Sequence, residues 1–393
     1  MNFLVRIKSL FCFSIILFVS CSLVAVPGME LDVGGMMWPG RAGEDRIVAS
    51  FLPGGSIFCA VCDGHDGKDV VNFVAENLHK IVVNNENFPG DIPTALTQAF
   101  LRIDEVLERK GILRSGTTAV VFIVTPEGKI IVANAGDSRG IVVSGGKVVL
   151  QTRDHKVSDP VEMTRILRAG GSICKAENVV PKRVWKIIKT ETEGEKISES
   201  PVVSAETGFK FQEPTIHEDV DKFIADNCSG QLYVFVDFYT VCAVARALGD
   251  FKYKPKMQGQ RVYWSSPKPD IYESQLQGTG DEFILLASDG FWDVVEHHTT
   301  NEGEYSLKNC IIKIQQQLKD GVSAQDVSRN LAESISSVWI AEGIEDHDDI
   351  SVIVVVPQTK TEEQASSESI SRAYENKRFN SMLYGRSRVI KNK

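Results

Sequence analysis

Short, nearly unbroken apolar runs separated by turn residues fill the middle of the chain. Ile47–Phe51, Ser56–Cys62, Thr118–Val124, Ile130–Asn134, Gly140–Val143 and Lys147–Gln151 read as strands, and Leu232–Val236, Phe283–Ala287 and Ile350–Val356 follow later. Pro126-Glu127-Gly128 and Ser144-Gly145-Gly146 stand between consecutive runs as hairpin turns. A helical period marks Val70–Val83, Asp91–Lys110, Pro160–Ala169, Leu307–Leu318 and Ala324–Ile340. Asp91-Ile92-Pro93 supplies an acidic cap with proline in the first turn, and Gly170-Gly171 a stop. Strands joined by short turns pair antiparallel. The helices come in pairs rather than between every strand, so the pattern predicts an α+β fold and not a doubly wound parallel sheet.

Three segments break this pattern. Arg6 and Lys8 precede an apolar run, Leu10 to Val26, that only Ser14, Ser20 and Ser22 interrupt. A basic start and a modest apolar stretch ending in small residues predict a secretory signal peptide over residues 1–25, cut near Ser20–Ser22 or Ala25. The expected location is then the secretory pathway or a lumen. A retained membrane anchor is the alternative, although the run is short of the roughly 20 residues a span needs. Residues 176–235 are polar and mixed in charge and read as a long, partly mobile insertion within a catalytic domain over 30–357. Residues 358–393 begin with Thr, Glu, Gln and Ser and turn basic from Arg372, which predicts a disordered tail.

The chain has 393 residues, 43% hydrophobic and 24% charged, ample for a sizeable core. Its net charge of −9 argues against nucleic acid or an anionic membrane as a partner of the whole surface. Cys59 and Cys62 form a C-x-x-C inside an apolar strand. Positions three apart on a strand face opposite sides, so the pair reads as two small core residues rather than a metal clip. The remaining cysteines do not resemble a disulfide framework in a chain this long.

The candidate chemistry lies where strands meet turns. Glu44-Asp45 stands just before a strand and Asp63-Gly64-His65-Asp66-Gly67 directly after one. Asp289-Gly290-Phe291-Trp292-Asp293 follows another strand, and Asp348-Asp349-Ile350-Ser351 precedes the last. An Asp-Gly after a strand is usually only a turn. Carboxylates gathered from several loops repel one another unless cations join them, and hard divalent cations prefer such oxygen ligands. If the loops converge, Mg²⁺ or Mn²⁺ is expected.

The motifs stand in a recognisable order. They are Glu44-Asp45, Asp63 to Gly67, Ser115-Gly116-Thr117-Thr118, Ala133 to Arg139, Asp154-His155-Lys156, Arg246 to Phe251, Asp289 to Asp293 and Asp348 to Val352. Together they resemble the metal-dependent serine/threonine protein phosphatases of type 2C. The resemblance implies two central antiparallel sheets flanked by helix pairs, with two divalent metals in a cleft at one end. It implies that Asp63 bridges the metals, that the Gly64 carbonyl and Glu44 help hold the second, and that Asp45 supports it through water. Asp289 and Asp348 would complete the first, and Asp137 would contribute to a third metal found in some members. A hydroxide shared by the metals would attack phosphorus, with His65 as the acid for the leaving oxygen and Arg41 on the substrate phosphate. Substrates would be phosphoproteins, and the chain would act as a monomer. Departures are visible: Arg41 lies three residues before Glu44 rather than four, position 349 is Asp where Asn is usual, and a long insertion precedes Arg246. The rival on the same fold is a pseudophosphatase serving as a binding module, whose mark would be loss of the metal aspartates. Neither a P-loop nor a C-x5-R loop occurs to support another hydrolase class, and the one G-x-S-x-G, Gly136 to Gly140, overlaps the Ala133 to Arg139 motif of the resemblance.

Overall fold

The computed structural model describes residues 19–26, 29–40, 42–177, 180–190, 194–201, 215–227, 231–237, 240–297, 305–344 and 347–359. Two antiparallel sheets form its centre. The first runs, edge to edge, through Val19–Val26, Met29–Trp38, Ile350–Thr359, Phe283–Ala287, Arg139–Ser144 and Lys147–Gln151. The second runs through Asp270–Gln275, Lys129–Ala135, Ala119–Val124, Ile57–Cys62 and Arg46–Phe51.

Side-chain alternation explains why these strands read as continuous apolar runs. Ile57, Cys59 and Val61 point into the space between the sheets, where they meet Ile353 and Val355 of the facing sheet. Phe58, Ala60 and Cys62 point outward onto helices α1 (Asp69–Val83) and α2 (Ile92–Lys110). On the other side Val352, Val354 and Val356 are covered by α5 (Asp289–His297), α6 (Leu307–Lys319) and α7 (Ala324–Ala341). A strand buried on both faces has no polar positions to spare. The fold is thus the expected helix–sheet–sheet–helix sandwich, and Cys59 and Cys62 do face opposite layers. Asp91 caps α2 by accepting from the Thr94 amide, as its sequence position suggests.

The described part of the insertion is folded. Thr215–His217, Gly194–Pro201, Val180–Thr190, Ser172–Glu177, Leu232–Asp237 and Thr240–Cys242 make a third, wholly antiparallel sheet in that order. One face packs on α3 (Pro160–Arg168) and α4 (Val220–Asn227) through Ile173, Trp185, Ile197, Phe223 and Val234. Polar and charged residues interrupt most of its strands, as in Gly194–Pro201, so apart from Leu232–Val236 they lack the dense runs of the sandwich and look loop-like in sequence. Residues 178–179, 191–193, 202–214 and 228–230 of the segment lie outside the described residues.

Three further elements differ from the sequence reading. Met29–Trp38 is a central strand although Glu30, Asp32 and two glycines interrupt it. Asp32 is buried there because its carboxylate accepts from the amide of Ala324 at the start of α7, at 2.8 Å. Asp289-Gly290 opens α5 rather than a turn. The later part of the N-terminal apolar run, Val19–Val26, pairs with Met29–Trp38 as an edge strand, a placement that the leader reading did not anticipate. Residues 1–18 and 360–393, holding the rest of that run and nearly all of the expected tail, lie outside the described residues. No helix among the described residues is long and apolar enough to cross a membrane.

Candidate metal centre

Strand register brings the acidic loops to one end of the sandwich. Arg46 pairs with Cys62, which places Glu44-Asp45 beside Asp63. Ala287 pairs with both Val352 and Arg139, which brings Asp289, Asp348 and Asp137 together. Asp45 and Asp137 are buried, Asp63 and Asp289 half-buried, and Asp348 exposed at the rim.

The carboxyls act on one another. Burial holds Asp63 well above the usual carboxylate range, and Asp45, Asp348 and Asp137 push it further, while a hydrogen bond with Asp289 opposes. Burial raises Asp289 likewise, with Asp63, Asp137 and Asp348 adding to it. Asp45 is raised by burial and then by Asp349. Burial and Asp154 push Asp137 up to about 6, against the pull of Lys156. Burial raises Asp348, the hydrogen bond from the Asp349 amide opposes, and the charges of Asp349, Asp293 and Glu44 add to the rise. Asp45 Oδ2, Asp137 Oδ1 and Asp289 Oδ1 are buried without a hydrogen-bond donor. Buried acceptors are rarely left so. An all-oxygen set of mutually repelling carboxylates with orphaned lone pairs fits hard divalent cations such as Mg²⁺ or Mn²⁺.

Backbone and polar contacts hold the set. Asp349 Oδ1 accepts from the amides of Gly40 and Gly43, and its Oδ2 from the Asp45 amide at 3.0 Å, pinning the Glu44-Asp45 loop. An aspartate serves here because three donors are shared between two accepting oxygens; the sequence flagged Asp349 only as a departure. Glu44 Oε1 accepts from the Gly67 amide at 2.9 Å, tying the two acidic loops. Gly64 must lack a side chain, since a Cβ there would lie 2.7 Å from the Glu44 carbonyl oxygen. The Asp63 carbonyl accepts from the Thr118 amide at 2.8 Å and the Thr117 hydroxyl at 2.9 Å.

His65 sits at the mouth, its Nε2 2.9 Å from Asp250 Oδ2. Burial would lower its pKa, but the Asp250 carboxylate outweighs this and raises it above the ordinary histidine value. Gly116 permits the pair: a Cβ there would lie 2.4 Å from both His65 Nε2 and Asp250 Oδ1. Asp250, which the sequence offers only as part of the Arg246 to Phe251 motif, is therefore the residue that positions His65.

Lys156 is a second residue whose role sequence reasoning missed. Its ammonium lies 3.5 Å from Asp293, and it is the cation that pulls the Asp137 pKa down. Its only signal was its place in the Asp154-His155-Lys156 motif. Arg41, the expected phosphate ligand, lies outside the described residues, as do Glu345 and Asp346. Arg46, four positions from the described edge of that loop, donates instead to the carbonyls of Gly43 and Asp45.

Comparison with known proteins agrees with this geometry. The family described as Protein phosphatase 2C matches residues 54–188 and 227–337, more than half of the chain. Human protein phosphatase 1A is 29% identical over 252 residues, covering 61% of this chain and 50% of its own length. Bovine protein phosphatase 1B is 30% identical over 259 residues, covering 61% and 41%. The chain thus spans about half the length of the curated relatives it matches, or less. A serine-threonine phosphatase 2C from Toxoplasma gondii shares the fold with a TM-score of 0.53 at 18% identity, covering 87% of this chain and 99% of its own. A sex determining protein from C. elegans aligns with a TM-score of 0.53 at 20% identity, covering 85% and 66%. By its profile match, its sandwich and its converging acidic loops, this chain belongs to the protein phosphatase 2C family.

Proposed function

We propose that the chain is a metal-dependent protein phosphatase that hydrolyses phosphoserine and phosphothreonine. The observation that carries this reading is the convergence of Asp45, Asp63, Asp137, Asp289 and Asp348, with Glu44, around buried oxygens that lack donors. Asp63, the Gly64 carbonyl and Glu44 would hold one cation and Asp63, Asp289 and Asp348 another, with Asp45 acting through water and Asp137 serving a third. Bound there, divalent cations supply Lewis acidity, neutralising phosphate charge and lowering the pKa of water.

The remaining work falls to side chains. Asp349 fixes the loop that presents Glu44 and Asp45, so neither has to be ordered when substrate arrives. Asp250 favours the charged form of His65 and engages its Nε2, so the proton available to a leaving group is the one on Nδ1. As the bond between phosphorus and the serine or threonine oxygen breaks, that oxygen takes the His65 proton, and the attacking water oxygen stays on phosphate. A protonated imidazole suits an alkoxide leaving group, which departs poorly without a proton.

The test is phosphate release from a phosphoserine peptide by the purified chain. Release is expected with Mg²⁺ or Mn²⁺, none with chelator, and a loss of roughly 10²-fold or more in Asp63→Asn. A folded, metal-loaded protein that releases no phosphate from a broad phosphopeptide library would overturn the reading.

A further inference from the structure

We propose that His65, Cys242 and Asp250 form a separate inhibitory site for a soft divalent cation, zinc above all. Cys242 Sγ, an imidazole nitrogen of His65 and an Asp250 oxygen all lie within 4.8 Å of one another. His65 Nε2 is 2.9 Å from Asp250 Oδ2, and Cys242 Sγ is 4.0 Å from the same oxygen. Tetrahedral zinc with its usual bond lengths separates such ligands by about 3.3–3.8 Å, so side-chain shifts of no more than about 1 Å complete the geometry.

The three residues come from three parts of the fold: the loop after Ile57–Cys62, the last strand of the side sheet, and the turn after Leu248–Gly249. A second observation points to a ligand. Asp250 is 1% exposed, yet its Oδ1 has no hydrogen-bond donor. One sulfur, one imidazole and one carboxylate make a donor set that zinc prefers and that magnesium does not. It is chemically unlike the all-oxygen set around Asp63, so the two sites sort metals by type.

Binding is balanced as follows. The buried thiol is neutral, so its proton leaves to solvent as the zinc–sulfur bond forms. His65 binds through Nε2 as neutral imidazole and gives up its second proton likewise. An imidazole ligated at Nε2 holds its remaining Nδ1 proton far more tightly than an imidazolium does. Zinc therefore removes the acid assigned to His65 and leaves the carboxylate centre in place. The inhibition rests on the proposed function; the binding does not.

The experiment loads full-length protein with saturating Mg²⁺ and then one equivalent of Co²⁺ or Zn²⁺. Cobalt is expected to give a near-ultraviolet thiolate charge-transfer band, lost in Cys242→Ser and Cys242→Ala. Zinc-edge X-ray absorption of the wild type should show one sulfur ligand at about 2.3 Å. This arm needs neither a variant nor activity. No band, no sulfur, or a band that survives in both variants overturns the site. For activity, the zinc concentration that halves phosphopeptide turnover, normalised to each protein's own Mg²⁺-saturated rate, should rise about tenfold or more in Cys242→Ser. Turnover of an aryl phosphate, whose leaving group needs no proton, should be spared. Equal zinc sensitivity in wild type and variant, with the cobalt band present, overturns the inhibition alone.

Discussion

In the sandwich, a strand such as Ile57–Cys62 is covered on both faces, whereas in the side sheet Val180–Thr190 is covered on one. Every residue of the first is buried; in the second Trp185 is buried, Val184 half-buried and Lys186 exposed. The difference decides what each region can carry. The acidic loops grow from strand ends that two layers of packing hold in register, which is what a group of mutually repelling carboxylates requires. The side sheet presents an outward face beside that centre and reaches it through Cys242 and the turn carrying Asp250. Under the proposed function the chemistry would sit on the doubly buried frame, with the singly buried sheet bordering it through Cys242.

Asp289→Asn breaks the comparison hardest. Turnover should fall about 10²–10³-fold, because a carboxylate ligand becomes a neutral amide. Stability should move the opposite way when no metal is bound. Burial and its neighbours raise the Asp289 pKa, so the ionised carboxyl weakens the fold at pH 7, and an uncharged isostere relieves this. A gain of about 1–2 kcal/mol, or a few degrees in the thermal midpoint, is expected in chelator. Added Mg²⁺ should stabilise the wild type and leave the variant nearly unmoved. A variant less stable than wild type without metal would show that the carboxylates do not repel as the structure has them.

Trp185→Ala tests the other region. Trp185 is 4% exposed and meets Phe223 edge-on, with ring centroids 5.4 Å apart. Its loss should destabilise the side sheet by about 3–5 kcal/mol. If that sheet governs approach and not chemistry, turnover of a small aryl phosphate should stay within about threefold while kcat/KM for a phosphoprotein falls about tenfold. Equal losses for both substrates would mean that the side sheet also sets the acidic loops.

The same contrast explains what was legible in the sequence. Strands buried on both faces are written as unbroken apolar runs, and their positions, with the paired helices, could be read within about three residues. Glu44, Asp63, His65, Asp289 and Asp348 stood out because strand ends and glycines framed them. One-faced strands such as Gly194–Pro201 were illegible, since alternation with Glu and Lys resembles a polar loop. Met29–Trp38 was hidden by Asp32, a buried carboxylate whose reason lies 292 residues away in α7. Asp349, Lys156 and the pairing of Asp250 with His65 were unreadable for that same cause: each acts through a contact distant in sequence.

The smallest effect belongs to a histidine inside the helical layer. His79 of α1 is 9% exposed, its ring 5.9 Å from that of Phe58, and its Nδ1 has no partner. Burial, helped by Lys80, lowers its pKa to about 4. The unfolded chain takes up the proton near pH 6.5, the folded one only near pH 4. Stability is therefore full above pH 6.5, erodes as the pH falls between those values, and loses nothing more from this group below pH 4. His79→Leu fills the site without a titrating group. At pH 7 its urea midpoint should match the wild type within about 1 kcal/mol, and at pH 4.5 it should be the more stable by about 2 kcal/mol. The gain belongs to the sandwich, so a signal from Trp185 in the side sheet should show less of it than one from Trp292 in the core under α5. Parallel acid limbs in the two proteins would mean that α1 opens to water before the sandwich unfolds, and that the doubly buried frame is looser at its helical layer than its packing implies.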